Sequence, residues 1–256
     1  MIKFFRKIRY NLMETGKTGK YFKYAIGEIV LVVIGILIAL QINNWNENRK
    51  KIVQEVFILE KLQFDIALDL SAISIELTDI DNNINELTFC TDAILGKTEP
   101  TREEFIKNLN SLLTISLFDQ NQTTFNNIVS SGQIEYIQNQ ALTDSITKYY
   151  NYDYKGWDTA LRDYTRNITA PFMLNFDHIP QANLGDRGFD DFIKIDINQS
   201  KIKPKTLEDY RNEVFFLNTL RQKIWNMEGQ KIQYQNLKKM MFQLSNQIDS
   251  ELKKSK

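Results

Sequence analysis

An apolar stretch, residues 25–42, is the feature that most restricts how this chain can fold. Glu28 is its only charged residue, and the run from Ile29 to Leu40 is entirely apolar. As an α-helix it would be about 27 Å long, which just crosses the hydrocarbon core of a bilayer. The stretch therefore predicts a transmembrane anchor over residues 24–42, with the lipid bilayer as its first partner.

Charge is distributed unevenly on the two sides of this stretch. Residues 1–23 contain seven Lys and Arg residues and one Glu, a net charge of +6, although the whole chain has 32 basic and 32 acidic residues. Cations favour the cytoplasmic side of a membrane. We therefore expect residues 1–23 to form a cytoplasmic, basic amphipathic tail and residues 43–256 to lie outside the cytoplasm. A cleaved signal peptide is not expected, because Ile38-Ala-Leu-Gln-Ile42 lacks a small-x-small cleavage pattern.

One face of the predicted anchor combines Glu28 with Gly35 and Ala39. Small residues four positions apart allow helices to approach closely, and a carboxyl inside a membrane prefers a partner. This face predicts association with a second copy or with another envelope membrane protein. The alternative is that Glu28 extends to the cytoplasmic headgroups and the face contacts only lipid.

The anchor and its flanks, Tyr24-Ala-Ile-Gly-Glu-Ile-Val-Leu-Val-Val-Ile-Gly-Ile-Leu-Ile-Ala-Leu-Gln-Ile-Asn-Asn-Trp-Asn-Glu47, resemble a known sequence family. It is a Bacteroidota family of uncharacterised single-pass membrane proteins, with a looser resemblance continuing at Thr124–Ile137. The resemblance implies a bacterial inner membrane. It implies no activity and no functional residues, because none is assigned in the family.

Beyond the anchor the apolar residues follow helical spacing. Eleven of the thirteen positions at 4-3 spacing from Ile52 to Ile94 are apolar, and no proline occurs in residues 1–99. A second stripe, which would widen the packed face, consists of Val53, Phe57, Phe64, Leu68 and Ile75. The pattern predicts an all-α fold in which the transmembrane helix continues into an extracytoplasmic bundle of long antiparallel helices.

Further signals place the remaining helices. Thr101 and Glu104 form a capping-box pattern at the start of a helix expected to reach about Ser116, and a short helix at residues 123–131 should stop at Gly132. Longer helices are expected at residues 140–170, closed by Pro171, and at residues 206–252. Residues 176–205 contain two Pro and two Gly residues and predict an irregular loop.

Two groups of residues are candidates for a partner or ligand surface. Tyr149 and Tyr152 fall off the helical stripe of their aromatic segment, although packing in the core is the alternative. The loop contributes Asp177, His178, Asp186, Arg187, Asp190 and Asp191. These loop residues form either a solvated acidic loop or, with lower expectation, a cation site, since their spacing is not that of a calcium-binding loop.

Composition and motifs exclude several kinds of chemical site. One Cys and one His exclude a disulfide framework and a multi-histidine metal centre. Glu14-Thr-Gly-Lys-Thr-Gly-Lys20 lacks the glycine spacing of a phosphate-binding loop. We therefore expect no catalytic residues, no metal and no cofactor. The acidic excess after residue 23 argues against binding nucleic acid.

The sequence leaves two main functional hypotheses. The first is a non-enzymatic, membrane-anchored envelope protein that acts as a helical scaffold or as a partner-binding subunit. The alternative is an extracytoplasmic sensor that binds a small ligand and signals through a partner subunit. An exposed apolar stripe along the long helices would favour the first hypothesis, and a closed cavity between the later helices would favour the second.

Overall fold

The computed structural model describes residue 10, residues 18–177 and residues 203–254. The chain divides into two compact units, Met1–Phe57 and Ile58–Lys256. Every regular element in the described ranges is helical, which confirms the predicted all-α class.

The first helix, α1, runs from Thr18 to Ile94 without a break and is 77 residues long. In the N-terminal unit, every side chain from residue 29 to residue 50 is exposed, as expected for a helix whose surroundings are lipid and solvent. This part is long and apolar enough to cross a membrane. The helix is followed by Gly96, whose φ of 71° is a left-handed conformation that favours glycine and closes the helix end.

Short helices follow α1 in the C-terminal unit. Helix α2 spans Arg102–Leu109 and begins with the predicted capping box between Thr101 and Glu104. It gives way to a 3-10 turn at Asn110–Leu112, so the helix is shorter than the sequence pattern indicated. Helix α3, Thr123–Ser130, stops before Gly132 as expected.

The prediction of a single helix over residues 140–170 is wrong. Helix α4, Gln140–Tyr150, is followed by a turn in which Asp153 accepts a hydrogen bond from the N–H of Lys155, and α5 covers Gly156–Tyr164. A π-helical segment, Thr165–Thr169, leads into α6, Ala170–Phe176. Pro171 lies in the first turn of α6, where a missing N–H is tolerated, and so it does not end the helix.

The last predicted helix is also divided. Helix α7, Leu207–Arg211, starts with a capping box of Thr206 and Asp209, and α8 runs from Val214 to Lys254. Gln63 of α1 donates a hydrogen bond to Ser245 of α8, and Asp81 of α1 forms a salt bridge with Lys231 of α8. Residue numbers therefore rise along one helix as they fall along the other. The two helices are therefore antiparallel, as predicted. Most of the predicted 176–205 loop lies outside the described residues.

The core of the C-terminal unit is built on α8, against which α4 and α5 pack. The pairs Asn139–Glu251, Asp158–Gln230 and Thr165–Lys223 show that this chain segment also runs antiparallel to α8. At Gly229 the indole of Trp157 lies directly on the backbone of α8. A Cβ added at Gly229 would be 2.5 Å from Cε2 of Trp157, so only glycine allows this approach.

Replacing Gly229 with alanine should therefore lower stability, although alanine is the better helix former. The Trp157 ring has to move outward, and we expect a loss of about 1–3 kcal/mol in the free energy of unfolding, as is typical of overpacking. Chemical denaturation of the full chain in detergent measures it. Gly156→Ala is the matched control, since an added Cβ there meets nothing within 4 Å. Equal stability of the two variants would contradict the close approach.

Candidate functional site

A stretch without regular structure, residues 114–121, passes through the C-terminal unit and is named here the threaded segment. Ser116 and Phe118 are buried within it, so its backbone polar groups need partners inside the protein. Five buried side chains supply them. The carbonyl oxygens of Thr114 and Ser116 accept from Lys223 and Gln230, and the N–H groups of Phe118, Gln120 and Asn121 donate to Tyr234, Tyr154 and Asp69.

Lys223 is the most unusual of these side chains, because it is completely buried. Its Nζ donates to the carbonyl oxygen of Thr114 at 2.8 Å and to Oγ1 of Thr165 at 2.7 Å. Burial disfavours the ammonium form and lowers the pKa of Lys223 to about 7. The lysine thus ties the threaded segment to the first residue of the π-helical segment.

Gln230 and Tyr234 connect the same segment to α5. Nε2 of Gln230 donates to the carbonyl of Ser116 at 2.8 Å and to Oδ1 of Asp158 at 2.7 Å, and the hydroxyl of Tyr234 donates to the same carboxylate oxygen at 2.9 Å. Burial raises the pKa of Asp158, although these hydrogen bonds oppose the shift. The carboxylate serves as a shared acceptor for two side chains of α8.

Asp69 on α1 holds the end of the threaded segment. Its Oδ1 accepts the N–H of Asn121 at 3.0 Å, and its Oδ2 accepts the hydroxyl of Tyr149 at 3.0 Å. Asp65, one turn earlier, accepts the side-chain amide of Asn121 at 3.1 Å. Burial is the main cause of the raised pKa of Asp69. The two carboxylates therefore bind protein donors on α4 and on the threaded segment.

Asp177 fixes the two described ends of the predicted loop. Its side chain is almost fully buried, forms a salt bridge with Arg102 at 3.0 Å, and accepts hydrogen bonds from the N–H of Lys205 and the hydroxyl of Tyr210. The residues before and after the undescribed range are thus joined to α2 and α7. Asp177 has a structural role here and does not lie on an open surface.

The other predicted surface residues have different outcomes. Tyr149 is buried and bonded to Asp69, so its assignment to a surface is wrong and the core alternative holds. Tyr152 is half-buried and packs against the core. Four of the loop residues and the histidine lie outside the described residues: His178, Asp186, Arg187, Asp190 and Asp191.

A large exposed apolar surface lies on α1 in the C-terminal unit. Phe64, Leu68 and Ile75 are 64%, 49% and 59% exposed, whereas Leu62, Ile66 and Ile73 on the same helix are fully buried. Successive residues of a helix differ by 100° in direction, which places the first three opposite the core. Between Lys61 and Asp79, the exposed residues are all uncharged: Phe64, Ala67, Leu68, Ser71, Ala72, Ile75 and Thr78. We name this surface the outer face.

The outer face corrects the interpretation of the second apolar stripe. That stripe was expected to widen the packed side of the first helix, yet all of its members are exposed: Val53, Phe57, Phe64, Leu68 and Ile75. Helix α8 also carries exposed apolar residues, Trp225, Ile232 and Phe242. Near Trp225, however, the charged residues Arg221 and Glu228 are exposed as well, so that surface is mixed.

The predicted association face of the anchor is open in this single chain. Gly35 and Ala39 are exposed, and a Cβ added at Gly35 would have no atom within 4 Å. Glu28 is half-exposed on the same helix. The geometry leaves room for a second helix at this face.

The described residues offer little for catalysis or metal binding. Within them, no group of three or more His, Cys, Asp and Glu side chains could hold a metal ion. Two concavities lie on the surface of α1 itself, beside Asn46 and Arg49 and beside Glu28 and Val32. Cys90 is fully buried, and burial raises the pKa of its thiol to about 12, which disfavours the nucleophilic thiolate.

Sequence reasoning missed the side chains that hold the threaded segment. The apolar pattern of the last helix predicts a stripe that omits Lys223 and Gln230, which are fully buried. Part of that stripe is buried (Leu220, Met227, Tyr234, Met241 and Ile248), and part is only half-buried (Leu217, Ile224 and Lys231, among others). The available signal was the spacing of seven residues that continues from Lys223 and Gln230 to Leu237 and Leu244. Lysine and glutamine interrupt the apolar pattern, and so this spacing was not recognised.

A family model described as Family of unknown function (DUF6090) matches residues 28–167, which is more than half of the chain. The matched range includes most of the apolar stretch, the rest of α1, the threaded segment and the beginning of the π-helical segment. No curated protein and no solved structure matches the chain.

The burial of Lys223 predicts a specific dependence of stability on pH. A folded-state pKa near 7, below the unfolded value of 10.5, means that the unfolded chain binds more protons between these values. The free energy of unfolding should therefore rise with pH from about 7 to 10, by up to about 1.4 kcal/mol per pH unit. The reason is that Lys223 has to lose its proton on folding, and this loss costs less as the pH approaches the unfolded pKa.

Lys223→Met should remove this slope, and denaturation of the full chain at several pH values in detergent measures it. Lys231→Met is the control, because Lys231 pairs with Asp81 and that contact raises its pKa above the tested range. A slope that persists in Lys223→Met and is absent from Lys231→Met would contradict the assignment.

Proposed function

The chain belongs to this family of unknown function, and we propose that it is a non-enzymatic, membrane-anchored protein of the bacterial cell envelope that binds a protein partner. Helix α1 serves as the single-pass anchor in the inner membrane of a member of the Bacteroidota. The N-terminus is cytoplasmic and residues 43–256 are periplasmic, in line with the seven cations before the anchor.

The outer face of α1 is the observation that carries this proposal. Large apolar side chains are normally covered in soluble surroundings, and a contiguous exposed group of them is typical of a protein interaction site. Phe64, Leu68 and Ile75 lie on one side of α1 over about three turns, without an intervening exposed charge. Their burial by a partner would remove a large apolar area from water, which is the main source of binding free energy.

The buried polar groups support a structural role for the interior. Lys223, Asp158 and Asp69 have the shifted pKa values that are often found at catalytic sites. Each of them, however, bonds protein groups that would otherwise be unsatisfied in the core. Burial is the main cause of all three pKa shifts, and no reaction is needed to account for them.

No contact or cavity among the described residues specifically favours the alternative, a sensor that binds a small ligand. A ligand between the later helices would need space among α4, α5 and the threaded segment. Instead, aromatic rings are in contact there: Phe125 stacks on Tyr150 at 4.4 Å between centroids, and Phe118 contacts Tyr154 and Tyr234. We therefore favour partner binding at the outer face.

A variant of the outer face tests the proposal. We expect the wild-type chain, purified from native membranes in mild detergent, to form a particle heavier than one copy. Replacing Phe64, Leu68 and Ile75 together by Gln should reduce that particle to a single chain, because the apolar surface is lost while helix propensity is kept. Mass photometry or light scattering measures the particle mass.

Leu174→Gln is the matched control, because Leu174 is 84% exposed on α6, away from the outer face. It should leave the particle mass unchanged. A wild-type particle of one chain, or a triple variant with the wild-type mass, would rule out partner binding through this face.

The anchor face gives a separate prediction. Gly35→Leu combined with Ala39→Leu should weaken association of the isolated anchor helix in a membrane dimerisation assay, because larger side chains keep the two backbones apart. Ile36→Leu, also in the exposed part of the anchor, is the control of similar hydrophobicity. Unchanged association of the double variant would mean that Gly35 and Ala39 face lipid.

A further inference from the structure

We infer that Arg49, Lys50 and Lys51 bind the phosphate groups of anionic phospholipids around the anchor, in the leaflet that lies beyond Ile42. We name these three residues the basic collar. The inference rests on the membrane anchor of the proposed function and is independent of the outer face. It concerns the N-terminal unit alone.

The distance from the apolar stretch places the basic collar at the membrane surface. Along the unbroken α1, the Cα atoms of Arg49 and Lys51 lie about 10–14 Å beyond that of Ile42. Side chains of a helix tilt toward its N-terminus, and on this part of α1 that direction leads back to the membrane. The long side chains therefore extend into the headgroup layer, which is about 5–7 Å thick on each side of the hydrocarbon core.

An aromatic side chain marks the same level of the membrane. Trp45 lies one turn before Arg49 and is 64% exposed. Tryptophan is enriched where the hydrocarbon core meets the headgroups, because its ring is apolar and its N–H is polar. The position of Trp45 agrees with a headgroup layer that begins just after Ile42 and includes the charged ends of the basic collar.

The charges of this part of α1 leave an excess of cations. Residues 43–53 contain the three cations of the basic collar and one acid, Glu47, which gives a net charge of +2. Lys50 forms a salt bridge with Glu47 at 2.9 Å. Among the residues that the structure describes, neither Arg49 nor Lys51 has an acidic partner. Two cations thus remain for an external anion, and the guanidinium of Arg49 is able to bind two oxygens of one phosphate.

The directions of the three side chains favour lipid as the occupant. All three are exposed, and consecutive residues of a helix differ by 100°, so the basic collar extends over about 200° of the circumference. A protein partner or a single small anion would contact one side of the helix, whereas lipids surround an anchor on every side. Their phosphates also lie at one depth, which matches three cations that are adjacent along the chain.

The net charge of the lipid decides which class binds. The phosphate of a zwitterionic lipid is accompanied by the cation of its own headgroup, whereas an anionic lipid has an unbalanced negative charge. Lysine and arginine near a membrane surface are attracted by that charge. We therefore expect anionic phospholipids to be enriched around the basic collar.

Site-specific photocross-linking of the full chain in vesicles tests the inference. The photoreactive residue p-benzoylphenylalanine replaces either Asn46, which is next to Arg49 on the helix surface, or Asn44, which is next to Lys51; both positions are exposed. The vesicles contain equal amounts of phosphatidylglycerol and phosphatidylethanolamine, and mass spectrometry counts each lipid linked to the chain. From both positions, linked phosphatidylglycerol should exceed phosphatidylethanolamine by about five-fold, as expected for one cation per lipid.

Charge variants test which residues cause the enrichment. Arg49→Gln combined with Lys51→Gln should lower this ratio to about one, because the charge is lost while helix propensity is kept. Arg49→Lys should keep most of the enrichment, since the charge remains. Lys107→Gln combined with Lys148→Gln is the matched control, because it removes the same charge from exposed positions on α2 and α4 and should leave the ratio unchanged.

The outcomes separate this inference from the proposed function. Chains that alkaline carbonate extracts completely from the vesicles would contradict the anchor, and the basic collar with it. Anchored chains that link both lipids equally, or a ratio that the double replacement of Arg49 and Lys51 leaves unchanged, would overturn the basic collar alone. Enrichment from only one of the two probe positions would indicate a one-sided site and also overturn it. Partner binding through the outer face is measured separately, by the particle mass.

Discussion

The backbone of the threaded segment forms its hydrogen bonds with side chains of the surrounding helices, and much of the interior of the C-terminal unit depends on these contacts. The segment lies outside helix or sheet and is buried at Ser116 and Phe118, and buried N–H and C=O groups are costly unless they are paired. Lys223 and Gln230 from α8, with Asp69 from α1, reach it from different helices. The packing of these helices and the hydrogen bonding of the threaded segment therefore depend on each other, because a shift of either one would break these hydrogen bonds.

Burial of the polar side chains around this segment accounts for the shifted pKa values of Lys223, Asp69 and Asp158. Lys223 is held by two neutral oxygen acceptors and Asp158 by two donors of α8, so each charge is costly and each contact is specific. These buried polar side chains hold separate segments of the chain together through hydrogen bonds. Function is then better sought on the surface, where Phe64 and Leu68 leave apolar area uncovered on an otherwise rigid helix.

Local signals in the sequence predicted local structure well. The capping box at Thr101 and the helix stop at Gly132 act within one helical turn, and both were found where expected. The prediction failed where several segments meet. Pro171 does not end a helix because it lies in the first turn of α6, directly after the π-helical segment. Tyr149 is buried, and its hydroxyl donates to Asp69, 80 residues away. No pattern over neighbouring residues contains that information.

By itself, the sequence determined that the chain is helical and that residues 25–42 are apolar enough to cross a membrane, because both properties follow from composition and spacing along one segment. It also supplied two apolar stripes on α1, without indicating which would be covered. Only the tertiary structure decided that Ile66 and Ile73 face the core while Phe64 and Ile75 remain exposed. The physical reason is that an isolated helix offers both stripes equally, and the side that is buried depends on where α8 and the threaded segment pack.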